Sequence, residues 1–281
     1  MPHLTAADGA EIAYAVAGSG PAVFLLPGMA SPGATLGRVL TTPLVAAGHT
    51  VITIDPRDTG ASTRYDGTRI DLVAVLDGDF ATVPYTYADM AGDALAVLDA
   101  VGIASATWVG YSMGGSVLAA IQARAPERVD ALVYFASGPG FGRAATPEDL
   151  AHVLRAPPAD RNEAVAWSID FAEYTWGRHF DPERDTPTAE LFVDEMGFWG
   201  VPMGHISAGL VGNPGVTTIT PDERRTTVVF ADEDPGASGW RAFAATMPDA
   251  TVVELGAWGH WFPDRGPWPK VIAAIIDAAP T

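Results

Sequence analysis

The sequence predicts an α/β protein: a mostly parallel central sheet flanked by helices, interrupted once by a helical insertion. Three observations carry this. Short apolar runs alternate with segments of helical period through the first half of the chain, and the same rhythm returns near its end. Some of the runs are apolar throughout, as strands buried on both faces are. Between Pro139 and Pro221 the rhythm breaks into a stretch rich in Pro, Gly and aromatics that offers helical fragments but no buried strand.

The elements follow in order. Glu11 to Val16 and Ala22 to Leu26 read as strands, the second closed by Pro27-Gly28. A helix from about Thr35 to Ala47 ends at Gly48, where a C-terminal cap belongs, and Thr50 to Ile54 is a β-branched strand running to Asp55-Pro56. From Thr86 to Val101, Met90, Ala94, Val97, Leu98 and Val101 recur at three- and four-residue spacing with Asp89, Asp93 and Asp99 between them, an amphipathic helix closed by Gly102. Next come the strand Thr107 to Val109, a glycine-rich turn, a helix from Met113 to Arg124, and the strand Val129 to Phe135. After the break, the pattern predicts strand Thr227 to Phe230, helix Ser238 to Met247, strand Thr251 to Leu255 and a last helix from Pro269 to Ala278. The chain thus divides into a core of residues 1–137 and 222–281 and an inserted helical lid of residues 138–221.

Composition narrows the chemistry. The 281 residues include 16 Lys+Arg against 34 Asp+Glu, a net charge of −18, which repels phosphate backbones and anionic lipid and argues against nucleic-acid and membrane partners. There is no cysteine, hence no disulfide, thiolate metal site or thiol nucleophile. The first residues lack a basic and apolar leader pattern, and no apolar run approaches the roughly 18 residues that span a bilayer, so a cytoplasmic location is the expectation. Asp77-Gly78-Asp79 and His179-Phe180-Asp181 have no companion ligands at workable spacing; they read as loops, and neither a metal nor a cofactor is expected.

Gly110-Tyr111-Ser112-Met113-Gly114 fits the G-x-S-x-G elbow, with a strand entering and a helix leaving. The glycines suit a turn whose flanks are pressed by neighbouring backbone, and the turn lifts the Ser112 hydroxyl above the sheet edge. A serine hydroxyl needs a base, and the base an orienting carboxylate. Of the six histidines, His260 sits in the small-residue loop Gly256 to Trp261 directly after a late strand, where it can reach the elbow. The acid belongs on the loop after Thr227 to Phe230, where Asp232, Glu233 and Asp234 compete. Asp234, far enough along to curl over the sheet and followed by the turn-forming Pro235, is the choice, and Asp232 the runner-up. The oxyanion needs two backbone donors. The amide of Met113 follows the nucleophile, and that of Met29 lies in the Pro27-Gly28-Met29-Ala30 turn.

With these pieces the chain resembles the α/β-hydrolase superfamily over nearly its whole length. The order Ser112, Asp234, His260 is that superfamily's order. Asp55-Pro56-Arg57-Asp58-Thr59-Gly60-Ala61-Ser62 is similar to its D-x-R-(G/D)-x-G-x-S loop, and the Arg-Asp-Thr-Gly version resembles the aclacinomycin methylesterase-like branch most. One departure is that the superfamily's common His-Gly is Pro27-Gly28 here. The resemblance implies a hydrolase of carboxylic esters of aromatic polyketides, with Ser112 as nucleophile, His260 as base, Asp234 as charge-relay acid, and a lid carrying substrate contacts. The aromatic residues Trp167, Phe171, Tyr174, Trp176, Phe180, Phe192, Phe198 and Trp199 in the insert favour a small apolar or aromatic ester. The same parts would serve cleavage of a lactone, a thioester or an amide, or a cofactor-free perhydrolase or cyclase. A non-catalytic ligand receptor on this fold is the further alternative, opposed by the presence of all three residues.

Overall fold

Among the described residues, eight strands form one sheet in the order β1-β2-β4-β3-β5-β6-β7-β8. They are β1 (His3–Thr5), β2 (Glu11–Gly18), β3 (Ala22–Leu26), β4 (Thr50–Ile54), β5 (Ala106–Tyr111), β6 (Val129–Phe135), β7 (Thr226–Phe230) and β8 (Thr251–Glu254). β2 pairs antiparallel with β1 and β4, and all remaining pairs, from β4 with β3 to β7 with β8, are parallel. The computed structural model describes residues 1–140, 158–196, 201–213, 225–261 and 266–280. Phe198 and Trp199, counted above among the aromatics of the insert, lie outside that set.

The helices are α1 (Gly33–Ala46), α2 (Leu72–Leu76), α3 (Tyr87–Ala100), α4 (Met113–Arg124), α5 (Arg161–Trp176), α6 (Pro182–Met196), α7 (Met203–Val211), α8 (Ala237–Ala245) and α9 (Trp268–Ala278). They cover both faces of the sheet, and the central strands β3, β4, β5 and β7 are buried at every position. β3 shows how: Phe24 and Leu26 enter one apolar layer with Met90, Leu98 and Ile121, while Val23 and Leu25 enter the other with Leu36, Leu40 and Val271. Phe24 stacks on Trp108 of β5 with ring centroids 4.6 Å apart.

Local chemistry sets the helix ends. Thr86 and Asp89 form a reciprocal capping box at the start of α3. α1 has no side-chain cap of its own; instead the Asp55 carboxylate, on the loop after β4, accepts from the Gly33 amide at 2.8 Å and the Ala61 amide at 2.9 Å. In the same loop Arg57 is buried and grips Asp93 of α3 through Nε (2.7 Å) and Nη2 (2.8 Å), and Asp8 through Nη1 (2.5 Å) and Nη2 (3.1 Å). Two bidentate carboxylates satisfy a guanidinium that would otherwise be costly to bury.

The expected strands and helices form to within a few residues. β1 and α2 were not read from the sequence: β1 is three residues long, and the Leu-Val-Ala-Val-Leu of α2 carries no helical period, its start being set by the Asp71 side chain accepting from the Ala74 amide at 3.1 Å. Among the described residues, α5, α6 and α7 lie between β6 and β7, and no helix is long and apolar enough to cross a membrane.

Candidate active site

The parallel register brings the carboxyl ends of β3, β5, β7 and β8 to one edge of the sheet. Leu26 pairs with Gly110, Tyr111 with Phe135, Phe135 with Val229, and Phe230 with Glu254. The loops leaving these strands therefore converge, although they are distant in sequence.

Ser112 occupies the turn from β5 to α4 with φ +51° and ψ −121°, a left-handed conformation that an L-residue keeps only when its surroundings hold it. The restraints are visible. The Ser112 amide donates to the Phe135 carbonyl at 3.1 Å, and the Ser112 carbonyl accepts from the Gly115 amide at 3.0 Å and the Ser137 hydroxyl at 2.5 Å. Both elbow glycines are compulsory on space alone: a Cβ at Gly110 would lie 2.7 Å from the Gly114 carbonyl oxygen, and one at Gly114 would run into that of Leu26.

His260 Nε2 stands 2.9 Å from the Ser112 hydroxyl oxygen, and its Nδ1 stands 2.9 Å from Asp234 Oδ2. The carboxylate can only accept, so the imidazole carries its proton on Nδ1 and turns a lone pair on Nε2 toward the serine. Asp234 is held from its other sides by the Gly236 amide on Oδ1 (2.7 Å) and Trp240 Nε1 on Oδ2 (3.3 Å). Its side chain is 1% exposed. Burial disfavours the imidazolium of His260, but the charge and hydrogen bond of Asp234 outweigh it and raise its pKa above the usual 6.5. Asp232 points elsewhere: it is 45% exposed and pairs with Arg241 at 3.0 Å, while Glu233 pairs with Arg178 at 2.9 Å.

Of the two amides expected to face the oxyanion, that of Met113 is the first in α4, where no intrahelical acceptor exists. The Pro27–Ser31 loop passes directly over the elbow, since a Cβ on Gly28 would lie 3.2 Å from the Ser112 Cβ and 2.9 Å from the Tyr111 ring. Met29 and Ser112 line one cavity of about 130 Å³. Its far wall comes from the helices between β6 and β7, with Trp167, Phe171 and Trp176 on α5 and Phe192 on α6. Those helices also touch the histidine loop, for Thr175 O accepts from the His260 amide at 2.7 Å.

Three neighbours were not found from sequence. Tyr111 lies under the site with its ring 5.4 Å from that of His260, and burial pushes its phenol well above its usual pKa of 10, so it stays a neutral donor. The motif marked its position but gave it no role. Ser137 follows β6 and fastens the elbow. His205, on α7, is fully buried and hydrogen-bonds the Ala30 amide and the Arg57 carbonyl, contacts across some 150 residues or more of chain that leave no local signal. His179, half of a metal-like tripeptide, instead hydrogen-bonds the Ala257 carbonyl and stacks on Trp258 at 4.0 Å.

Comparison with known proteins accords with this architecture. The family described as alpha/beta hydrolase fold matches residues 21–166. Rhodomycin D methylesterase DauP of Streptomyces sp. (strain C5) is 30% identical over 251 residues, covering 78% of this chain and 78% of that protein. Rhodomycin D methylesterase DnrP of Streptomyces peucetius is 30% identical with the same coverage. A meta-cleavage product hydrolase from Pseudomonas fluorescens IP01 superimposes with a TM-score of 0.72 at 20% identity, covering 99% of this chain and 97% of its own, a likeness of fold. The chain belongs to the α/β-hydrolase fold family, and within it to the methylesterase-like branch that its Arg57-Asp58-Thr59-Gly60 loop and Ser112 elbow resemble.

Proposed function

We propose that the protein is a serine hydrolase of carboxylic esters, with Ser112 as nucleophile, His260 as general base and Asp234 as the acid that orients it. The single observation that carries this reading is the unbroken hydrogen-bonded chain Asp234–His260–Ser112 opening onto an apolar cavity. In the first half-reaction His260 Nε2 takes the Ser112 proton as the serine oxygen bonds to the ester carbonyl carbon. The carbonyl oxygen becomes an oxyanion, received by the Met29 and Met113 amides. Collapse breaks the bond to the leaving alkoxide, which takes the proton from His260 and departs as an alcohol. Water then repeats the sequence on the acyl-enzyme and frees the acid and Ser112.

Residues 138–221 are read as a lid on a core of residues 1–137 and 222–281, the aromatic wall supplied by α5 and α6 supporting that division. Such a wall suits a flat apolar acyl group and excludes water from the acyl-enzyme. The 30% identity to two rhodomycin D methylesterases supports the methyl ester of a polycyclic aromatic acid as substrate, with methanol as leaving group. No cofactor enters the reaction, and a cytoplasmic enzyme acting on a small neutral ester fits the net charge of −18.

The test uses a short-chain p-nitrophenyl ester, a methyl ester of an aromatic polyketide acid and a serine-directed phosphonate. Wild type is expected to hydrolyse both esters and to gain one phosphonate on Ser112, and Ser112→Ala to do neither. A wild type that neither turns over ester nor takes up phosphonate overturns the reading.

A further inference from the structure

The Pro27–Ser31 loop carries one of the two amides that the proposed ester hydrolysis asks of this site, and two sets of contacts hold its path: its own turn, where the Ser31 amide donates to the Gly28 carbonyl at 3.3 Å and the Ser31 hydroxyl to the Met29 carbonyl at 3.2 Å, and a support from outside the loop. Ala30, next to Met29, sits at φ +57°, left-handed backbone that an alanine adopts only when held there. The Gly28–Ser31 turn bond is one restraint, and the Ala30 amide itself is held by a side chain from the insert. His205 Nδ1 lies 3.1 Å from the Ala30 amide nitrogen, and His205 Nε2 lies 2.8 Å from the Arg57 carbonyl oxygen. A carbonyl oxygen only accepts and an amide N–H only donates, so the partners assign one neutral tautomer, protonated on Nε2 and accepting on Nδ1.

The surroundings reinforce that state. His205 is fully buried, and burial lowers its pKa, keeping the ring neutral at ordinary pH. The groups around it are themselves fixed. Tyr85 meets it edge-on at 6.1 Å and donates to Asp58 Oδ2 at 2.6 Å, while Arg57 is clamped between Asp8 and Asp93. The imidazole is thus a rigid strut between the loop after β3, the loop after β4 and α7 of the insert.

We propose that His205 is a positioning residue: it fixes the Ala30 amide, and with it the neighbouring Met29 amide, so that the oxyanion site is complete only while the insert is seated on the core. This rests on the ester-hydrolase reading and assigns the insert a part in the chemical step as well as in covering the cavity. His205 touches neither substrate nor reacting atoms. Its loss should therefore appear in the rate of the chemical step and not in ground-state binding.

The experiment compares wild type, His205→Leu and His205→Gln. Leucine keeps bulk and removes both hydrogen bonds; the glutamine amide can supply an acceptor and a donor about as far apart as the two ring nitrogens. With active sites counted by phosphonate titration, the leucine variant is expected to lose about 10- to 100-fold in kcat on a p-nitrophenyl ester, with KM changed less than about 3-fold. A trifluoromethyl ketone, which forms an oxyanion on the serine, should bind it more weakly by a similar factor, while a plain ketone of the same length binds as to wild type. Glutamine should restore much of the loss. A leucine variant with wild-type kcat, or one altered only in KM, overturns the proposal.

If the variants do not fold, nitrogen NMR of the wild-type histidines decides, because any His205 state other than Nε2-protonated and Nδ1-accepting contradicts the strut. That measurement also stands if the wild type hydrolyses no ester, an outcome that would sink the hydrolase reading separately.

Discussion

Two aspartates two positions apart share a loop, yet their surroundings give them different work. Asp232 is half in solvent beside Arg241, an exposed pair of little energetic weight, whereas Asp234 is enclosed by His260, the Gly236 amide and Trp240. Asp234→Asn is expected to lower kcat on a p-nitrophenyl ester by roughly 10⁴-fold, because an asparagine amide favours the wrong imidazole tautomer. Asp232→Asn should stay within about 2-fold of wild type; the reverse ranking would reassign the acid. The Asp234–His260 pair sets the pH dependence expected of the proposed mechanism. As the proposed base, His260 acts only when neutral, and Asp234 raises its pKa above 6.5 against the opposing effect of burial. The acid limb of kcat/KM should therefore have its midpoint above pH 6.5, with the rate rising as pH rises through it. In Asp234→Asn the raising influences are gone and burial remains, so the limb should move to lower pH; a wild-type midpoint below 6.5 would contradict the account.

At the scale of elements, the site depends on two contacts between loops and helices. Gly259 packs so closely on the end of α5 that a Cβ would run into the Thr175 carbonyl, the acceptor for the His260 amide. Gly259→Ala should part α5 from the histidine loop and cost at least about 10-fold in kcat while the far-ultraviolet spectrum is unchanged, since displacements near 1 Å are enough for such losses. The loop after β4 is the second contact. Arg57→Leu leaves Asp93 buried without its cation, a loss of about 3–5 kcal/mol by denaturant titration. Burial already raises the Asp93 pKa, and without Arg57 it acts unopposed. A carboxyl raised in the folded state stabilises below its unfolded pKa and loses that stabilisation as pH rises, so the gap from wild type should widen from about pH 4 upward. These contacts also mark what was legible in the sequence. Strand, glycine elbow and loop histidine are local patterns, and β3, β4, β7 and the Ser112 turn followed from them. α2 had no period to read, and His205 meets Ala30 only because the sheet and insert bring distant segments together.

For the whole molecule, the sheet holds the proposed catalytic residues, while the net charge of −18 bears on which substrates approach them. The sheet gathers Met29, Ser112, Asp234 and His260 at one edge because the parallel strands end together, which the alternation of strands and helices already implied. The net charge of −18 was equally legible, but its consequence depends on where the cavity opens, and no sequence pattern locates that. A negative surface lowers the local concentration of anionic substrates and leaves neutral ones unaffected. The product of ester hydrolysis is a carboxylate, so the same field should speed its departure. Two p-nitrophenyl esters of equal chain length, one ending in a methyl group and one in a carboxylate, separate this from pocket fit. At low salt the anionic ester should have the lower kcat/KM. Raising ionic strength toward 0.5 M shortens the screening length to a few ångströms (~4 Å) and should raise its kcat/KM several-fold while leaving the neutral ester nearly constant. If both esters respond alike, the acidic surface does not reach the cavity mouth, and selection against anions must come from the apolar wall of α5 and α6 alone.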